Sequence, residues 1–478
     1  MSSPSIGTAP TRADRTAATA LAAFFIAGCG VLAVIVAAGA GNCSAPFAIP
    51  GFCQSSPGLA IAAAIAALPL IILLLVRRSL AAFLALYIVL VPIDDALLVG
   101  SGLTITKMVG IAVALAAIGR LIKRRAQIRL PLAVFGWIAV VGLMALSVLW
   151  AVDPSSSTGE LVTICSALAL MLILVAVPMD RAELRAIIAA TIVSGAVVGI
   201  VALVLARHEV STIQGQVGRL YLTFGSATLD PNRFGAALLL PVAMTVGALG
   251  QAAGWRRIGL FALLGLTFTA IYLSASRGTL LALIAMAIVG ILTSRYRVAL
   301  GALLASSVGL LLVVPSEISK RLFLEGTAAN GAGRLDIWRV AVEIFRGHWL
   351  LGTGAGTFIP AYNRAFFLAY EPQFAGWNRD PHSLLLSTAT ELGMVGIAIM
   401  AVALVLQYRT VRLVGADDSY RWLRTVFRAA FIGLLVAALF VDVLTTKFAW
   451  LLFTEMLIFS RVAVESASPT RAESLGVT

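Results

Sequence analysis

Asn378-Arg-Asp-Pro-His-Ser-Leu-Leu-Leu-Ser-Thr-Ala-Thr-Glu-Leu-Gly393 passes from a charged loop into an apolar run within a few residues. The run it opens, 383–407, rises about 1.5 Å per residue as a helix and can cross a hydrocarbon core of about 30 Å. This stretch therefore reads as a polar loop re-entering a membrane. The chain has only three histidines, and His382 stands at the re-entry point. An imidazole at a water–lipid boundary can move protons on a substrate that is itself partly lipid.

Working outward, similar runs recur near 17–40, 58–76, 79–93, 104–122, 130–150, 158–177, 184–206, 233–252, 258–275, 278–294, 298–315, 425–445 and 447–462. With 383–407 they make about fourteen spans, or twelve to fourteen if short runs such as 79–93 are re-entrant. Hydrophobic residues make up 60% of the 478 and charged residues 12%, with a mean hydropathy of +1.00. No soluble fold needs so few charges, so the expected fold is an all-α polytopic membrane protein. The spans divide it into N-terminal transmembrane helices over 1–129, a core bundle over 130–315, a large periplasmic loop over 316–382, C-terminal helices over 383–462 and a cytoplasmic tail over 463–478.

The net charge of +13 is explained by placement rather than by a polyanionic partner. Arg77–Arg78, Lys123–Arg124–Arg125, Arg181, Arg185, Arg256–Arg257, Arg295, Arg297, Arg409 and Arg421 fall in alternate loops. The positive-inside rule then puts both termini in the cytoplasm and argues against nucleic-acid binding. Cys43 and Cys53 share the first external loop, where a disulfide and two free thiols are both open readings.

Two external segments exceed ordinary connectors, 207–232 and about 316–382. In the second, Leu335, Trp338, Val342 and Phe345 recur at helical spacing, which predicts an amphipathic helix lying on the bilayer or capping the bundle. Gly352-Thr-Gly-Ala-Gly-Thr357 follows as a flexible turn and lacks the ending of a phosphate-binding P-loop. Tyr362, Phe366, Phe367, Tyr370, Phe374 and Trp377 read either as an interfacial aromatic belt or as rings that stack on sugars.

Three external arginines run against the positive-inside bias: Arg219, Arg277 in the tight Ser276-Arg-Gly278 link, and Arg334. A charge at span depth costs about 2.5–3.5 kcal/mol on insertion scales. Such arginines either snorkel to headgroups or serve a task, and guanidinium forks match phosphate oxygens. Asp380 is placed to orient His382, whereas Glu391 falls on the opposite side of a straight helix and reads as a buried supporting group. No residues have metal-ligand spacing.

Taken in order, Arg219 with Pro231-Asn232, Ser276-Arg277-Gly278, Gly333-Arg334-Leu-Asp-Ile-Trp338, Gly352-Thr-Gly-Ala-Gly-Thr-Phe358 and His382 followed by Glu391-Leu-Gly393 resemble the O-antigen ligase and O-antigen polymerase superfamily, over roughly 130–460. The resemblance implies a GT-C-like, metal-independent, inverting glycosyltransferase of the bacterial inner membrane, facing the periplasm and needing no cofactor. It implies a glycan on undecaprenyl diphosphate as donor, and either lipid A core (ligase) or a lipid-linked glycan (polymerase) as acceptor. Arg219, Arg277 and Arg334 would hold the diphosphate, His382 would take the acceptor proton, and Asp380, Asn232 and Glu391 would support them. The pattern departs at Ser383, where many relatives carry Asn. The rival class is a transporter of lipid-linked glycans, which should show ionisable groups near mid-membrane.

Overall fold

The computed structural model describes residues 80–96, 104–124, 130–206, 222–224, 227–274, 276–293, 334–369, 377–412 and 421–474. The predicted spans 17–40, 58–76 and 298–315, together with Cys43, Cys53 and Arg219, lie outside them.

The protein is an all-α polytopic membrane protein. Among the described residues, seven helices are long and apolar enough to cross a membrane. In chain order the elements begin with α1 (Leu80–Leu90), a 3₁₀ turn (Val91–Ala96), α2 (Ile105–Arg124), α3 (Leu132–Ser147, extended by a 3₁₀ turn to Trp150), α4 (Pro154–Ala176) and α5 (Arg181–Ala206). A small antiparallel hairpin follows, β1 (Leu222–Phe224) paired with β2 (Ala227–Leu229) in the register Leu222 to Leu229. Then come α6 (Pro231–Ala237), α7 (Leu239–Leu249), α8 (Trp255–Ser274) and α9 (Arg277–Thr293). After residues not described, α10 (Arg334–Gly347), α11 (Phe358–Ala369), α12 (Leu384–Arg412), α13 (Arg421–Ala437) and α14 (Lys447–Ser474) complete the order.

Three predicted spans differ from straight rods, among them 383–407, whose helix α12 is kinked at Gly393. The run 233–252 is split at Leu238 into α6 and α7, and 425–445 ends as a helix at Ala437 before an irregular turn. Small residues set the helix spacing, as expected where lipid supplies no hydrophobic drive. A Cβ on Gly136 of α3 would lie 2.9 Å from Ala403 Cα of α12, so the two backbones meet there. Around this contact the core carries Trp137, stacked on Phe453 with centroids 4.6 Å apart. The Trp137 indole donates to Gln407 Oε1 at 3.0 Å, and Gln407 Nε2 donates to Phe453 O at 3.1 Å. Every polar atom of that buried amide thus ties α3, α12 and α14 together. Glu455 of α14, 1% exposed, lies inside the bundle, where the Thr191 hydroxyl of α5 donates to its Oε1 at 2.7 Å.

α10 forms where the amphipathic pattern predicts, but its buried face is Asp336, Ile337, Val340, Ala341 and Ile344. Leu335 and Val342 are exposed, so the helix caps the bundle with a different side from the one the apolar spacing suggested. The inner face packs on Phe358, Ala361, Tyr362 and Phe366 of α11. Tyr362 and Phe366 are buried core rings rather than a belt or a sugar platform, while Trp377 is exposed. The side chains of Phe367, Tyr370 and Phe374 lie outside the described residues.

Candidate functional site

Five separated segments converge at one end of the bundle. Asp230 caps α6, its Oδ1 accepting from the Asn232 and Arg233 N–H groups at 2.6 and 3.2 Å. Asn232 Oδ1 in turn accepts from the Ser276 hydroxyl at 3.0 Å, and Ser276 Oγ accepts from the Thr279 N–H and hydroxyl at 3.3 and 3.0 Å. Ser276 therefore caps α9 and sets Arg277, half-buried, as its first residue beside Asn232. The helix N-terminus adds its own partial positive charge to that guanidinium.

Next to Arg277, Gly278 lies flat on Phe440, where an added Cβ would come within 3.0 Å. Phe440 also carries the Arg334 guanidinium over its ring, 5.5 Å from the centroid. The turn between α13 and α14 thus brings α9 and α10 together. It also holds the start of α12, since the Leu384 N–H donates to Ala438 O at 2.8 Å. His382, two residues earlier, is half-buried with φ +47°. Asn378, with φ +56°, is clamped by reciprocal bonds to Asn363 at 2.7 and 3.0 Å. Non-glycine residues in this region cost backbone energy, and such strain clusters at functional sites.

The electrostatics around His382 follow from this packing. Burial pushes the imidazole below its ordinary value; Asp230 and Asp380 pull it back up, while Arg334 and Arg233 push it further down. The ring is thus neutral at pH 7 and able to accept a proton. Asp442, in the turn after α13, has its carboxyl pushed up by burial, opposed by a Ser387 hydroxyl bond, Arg233 and the Leu444 N–H, and pushed further up by Asp380.

Of the residues singled out from sequence, Asn232, Arg277, Arg334, Asp380 and His382 gather at this end. Glu391 does not face His382. Its Oε2 accepts from the Gly356 N–H and its Oε1 from the Phe358 N–H, both at 3.0 Å, so it caps α11. The glycine run before α11 is not a flexible turn. Gly352, Thr353, Gly354, Ala355 and Thr357 are buried, and the Thr353 and Gly354 N–H groups bond to Thr390 O and Glu391 O at 2.9 Å. Sequence reading missed Arg233, Phe440 and Asp442. The signal for Asp442 was present: it is an acid inside the run 425–445, where a charge needs a reason.

The fold and site together define a multi-pass membrane protein whose cations, imidazole and carboxylates are assembled at one end of a helical bundle. Residues 261–401 match the family model described as O-Antigen ligase, which supports assigning the chain to the O-antigen ligase/polymerase family and an enzyme role. The matched stretch holds Ser276–Gly278, Arg334, His382 and Glu391; Asn232, Arg233, Phe440 and Asp442 lie outside it. No curated protein matches the chain.

Proposed function

We propose that this protein is a periplasm-facing, inverting, metal-independent glycosyltransferase with a GT-C-like architecture. It transfers an O-antigen-type glycan from undecaprenyl diphosphate to a sugar of lipid A core. The observation that carries this reading is the convergence of Asn232, Arg277, Arg334 and His382 on the turn after α13, with three of the four inside the matched region.

The acceptor hydroxyl attacks the anomeric carbon from the face opposite the diphosphate. A new carbon–oxygen bond forms as the sugar–diphosphate bond breaks, and the hydroxyl proton passes to His382. The bonding pair leaves with the diphosphate. Arg277 and Arg334 stabilise the charge that grows there, an interaction stronger in the transition state than in the ground state. Asn232 fixes the Ser276–Arg277 link, Asp380 supports the imidazolium as it forms, and Glu391 holds the surrounding frame. Arg219, in the same polar segment as Asn232, is assigned to the diphosphate by its place in the motif alone.

The test is turnover by the purified protein of an undecaprenyl-diphosphate-linked glycan, with and without lipid A core, in EDTA. Product on lipid A core is the expected result. Longer lipid-linked glycan without core would replace ligation by polymerisation at the same site. Absence of product from the folded protein with native-source substrates would favour transport of the lipid-linked glycan.

A further inference from the structure

α10 has three distinct sides. Its inward face, Ile337, Val340, Ala341 and Ile344, is buried on α11. One flank carries Leu335, Trp338, Val342 and Phe345, with Leu335 and Val342 exposed at 44% and 43%. The other flank carries Glu343, and Arg339 and Arg346 stand well exposed on the outward edge between the two, paired on the helix with Asp336 at 3.7 Å and Glu343 at 3.3 Å. Past the helix end the apolar flank continues through Trp349, Leu350 and Leu351, all exposed.

That apolar strip is continuous with a membrane-facing surface. The Trp150 indole donates to Leu351 O at 3.3 Å, and the Val152 N–H donates to Thr353 O at 2.9 Å. The strip therefore sits on the end of α3, a membrane-spanning helix whose outer side exposes Phe135, Leu146 and Leu149. Two tryptophans, Trp150 and Trp349, mark the junction, where amphipathic indoles prefer the headgroup level. A helix with one apolar flank and arginines at its edge matches a bilayer interface.

We infer that the outer flank of α10 and the Trp349–Leu351 turn are seated in the bilayer leaflet at the site end of the bundle, with Arg339 and Arg346 reaching lipid phosphates. One face of the helix thus caps the bundle while another is anchored in lipid. Given the function proposed above, this anchor holds Arg334, the first residue of α10, at the depth of a lipid-linked diphosphate; the membrane seat itself does not depend on that reading.

The test uses the full chain with Cys29, Cys43, Cys53 and Cys165 replaced by serine, reconstituted in lipid nanodiscs and spin-labelled at Val342→Cys or Glu343→Cys. These neighbours point about 100° apart on the helix. The Val342 label is expected to collide several-fold more with oxygen than with a water-soluble nickel chelate, and the Glu343 label to show the reverse. A Val342 label as open to nickel as the Glu343 label would place the flank in water and overturn the inference. A Val342 label shielded from both reagents would mean that protein, such as a second copy, covers it, which overturns the inference equally. Should the cysteine-free chain fail to fold, quenching of native tryptophan by brominated lipid replaces the label. Quenching that falls on Trp349→Phe supports the anchor, and unchanged quenching rejects it. Neither readout measures turnover, so failure here leaves the proposed reaction standing.

Discussion

Held at φ +47° and half-buried, the His382 imidazole has a proton affinity set by its surroundings rather than by its own chemistry. Burial lowers it, so the base stays neutral into mild acid. The acid limb of the rate against pH is therefore expected below the ordinary imidazole value of about 6.5. The sign for stability follows from the same shift. Between the unfolded and the lower folded value the unfolded chain binds more protons, so this group's contribution is full above about 6.5 and declines as pH falls. His382→Ala should cut transfer by about 10²–10⁴ while protein level and donor binding persist. An acid limb at or above 6.5, or near-normal turnover in the alanine variant, would remove the general-base role. At this scale much of the site was legible. Arg277, Arg334 and His382 stand out because a charge or imidazole at a span boundary is costly and few residues of the chain are charged. Arg233 was missed because it gains meaning only from neighbours far along the chain, whereas Asp442 carried a local signal, an acid within an apolar run, that was passed over.

At the scale of elements, the glycine run 352–357 and the Glu391-Leu-Gly393 motif form one device. α12 is kinked at Gly393, with φ +64° and ψ −161°, which frees the carbonyls of Thr390 and Glu391 for the glycine turn. The return bonds run from the Met394 and Val395 N–H groups to Trp349 O and Leu350 O, at 2.9 and 3.3 Å. Composition suggested flexibility because glycine is permissive, yet here it permits close approach. A Cβ on Gly393 would lie 2.3 Å from Leu350 O, and one on Gly352 2.2 Å from the Glu391 carbonyl carbon. Partners 37 and 45 residues apart are invisible to local pattern, which is why this rigidity could not be read in advance. Gly393→Ala should cost about 2–4 kcal/mol from forced backbone and overpacking. It should also lower the thermal midpoint in detergent and, by loosening Glu391, the activity. Gly142→Ala, on an exposed helical position with nothing near its Cβ, should be neutral or slightly stabilising. Equal midpoints for the two variants would mean the kink yields at little cost.

Across the whole molecule, the site end is closed by a tie between the first described helices and the last. Lys447, which opens α14, pairs with Asp94 in the 3₁₀ turn after α1, and the Thr104 hydroxyl donates to the same carboxylate at 2.7 Å. Both charged side chains are largely buried, at 16% and 13% exposure. The hairpin β1–β2, which leads into Asp230 and Asn232, packs against that same turn. The tie thus joins regions outside the matched stretch to the segment that positions Asn232. Helix order was readable from hydropathy, but this closure was not, because Asp94 and Lys447 sit 353 residues apart. A buried pair is costly to break and far less costly to replace, since the lone partner keeps its desolvation penalty. Lys447→Met should therefore destabilise by about 3 kcal/mol, seen as a lower midpoint by fluorescence-detected size exclusion in detergent. Adding Asp94→Asn to that variant removes the stranded carboxylate and should recover most of the loss. If the double variant is no more stable than Lys447→Met, the two charges are not coupled, and the joining of α1 to α14 at the site end must rest on packing alone.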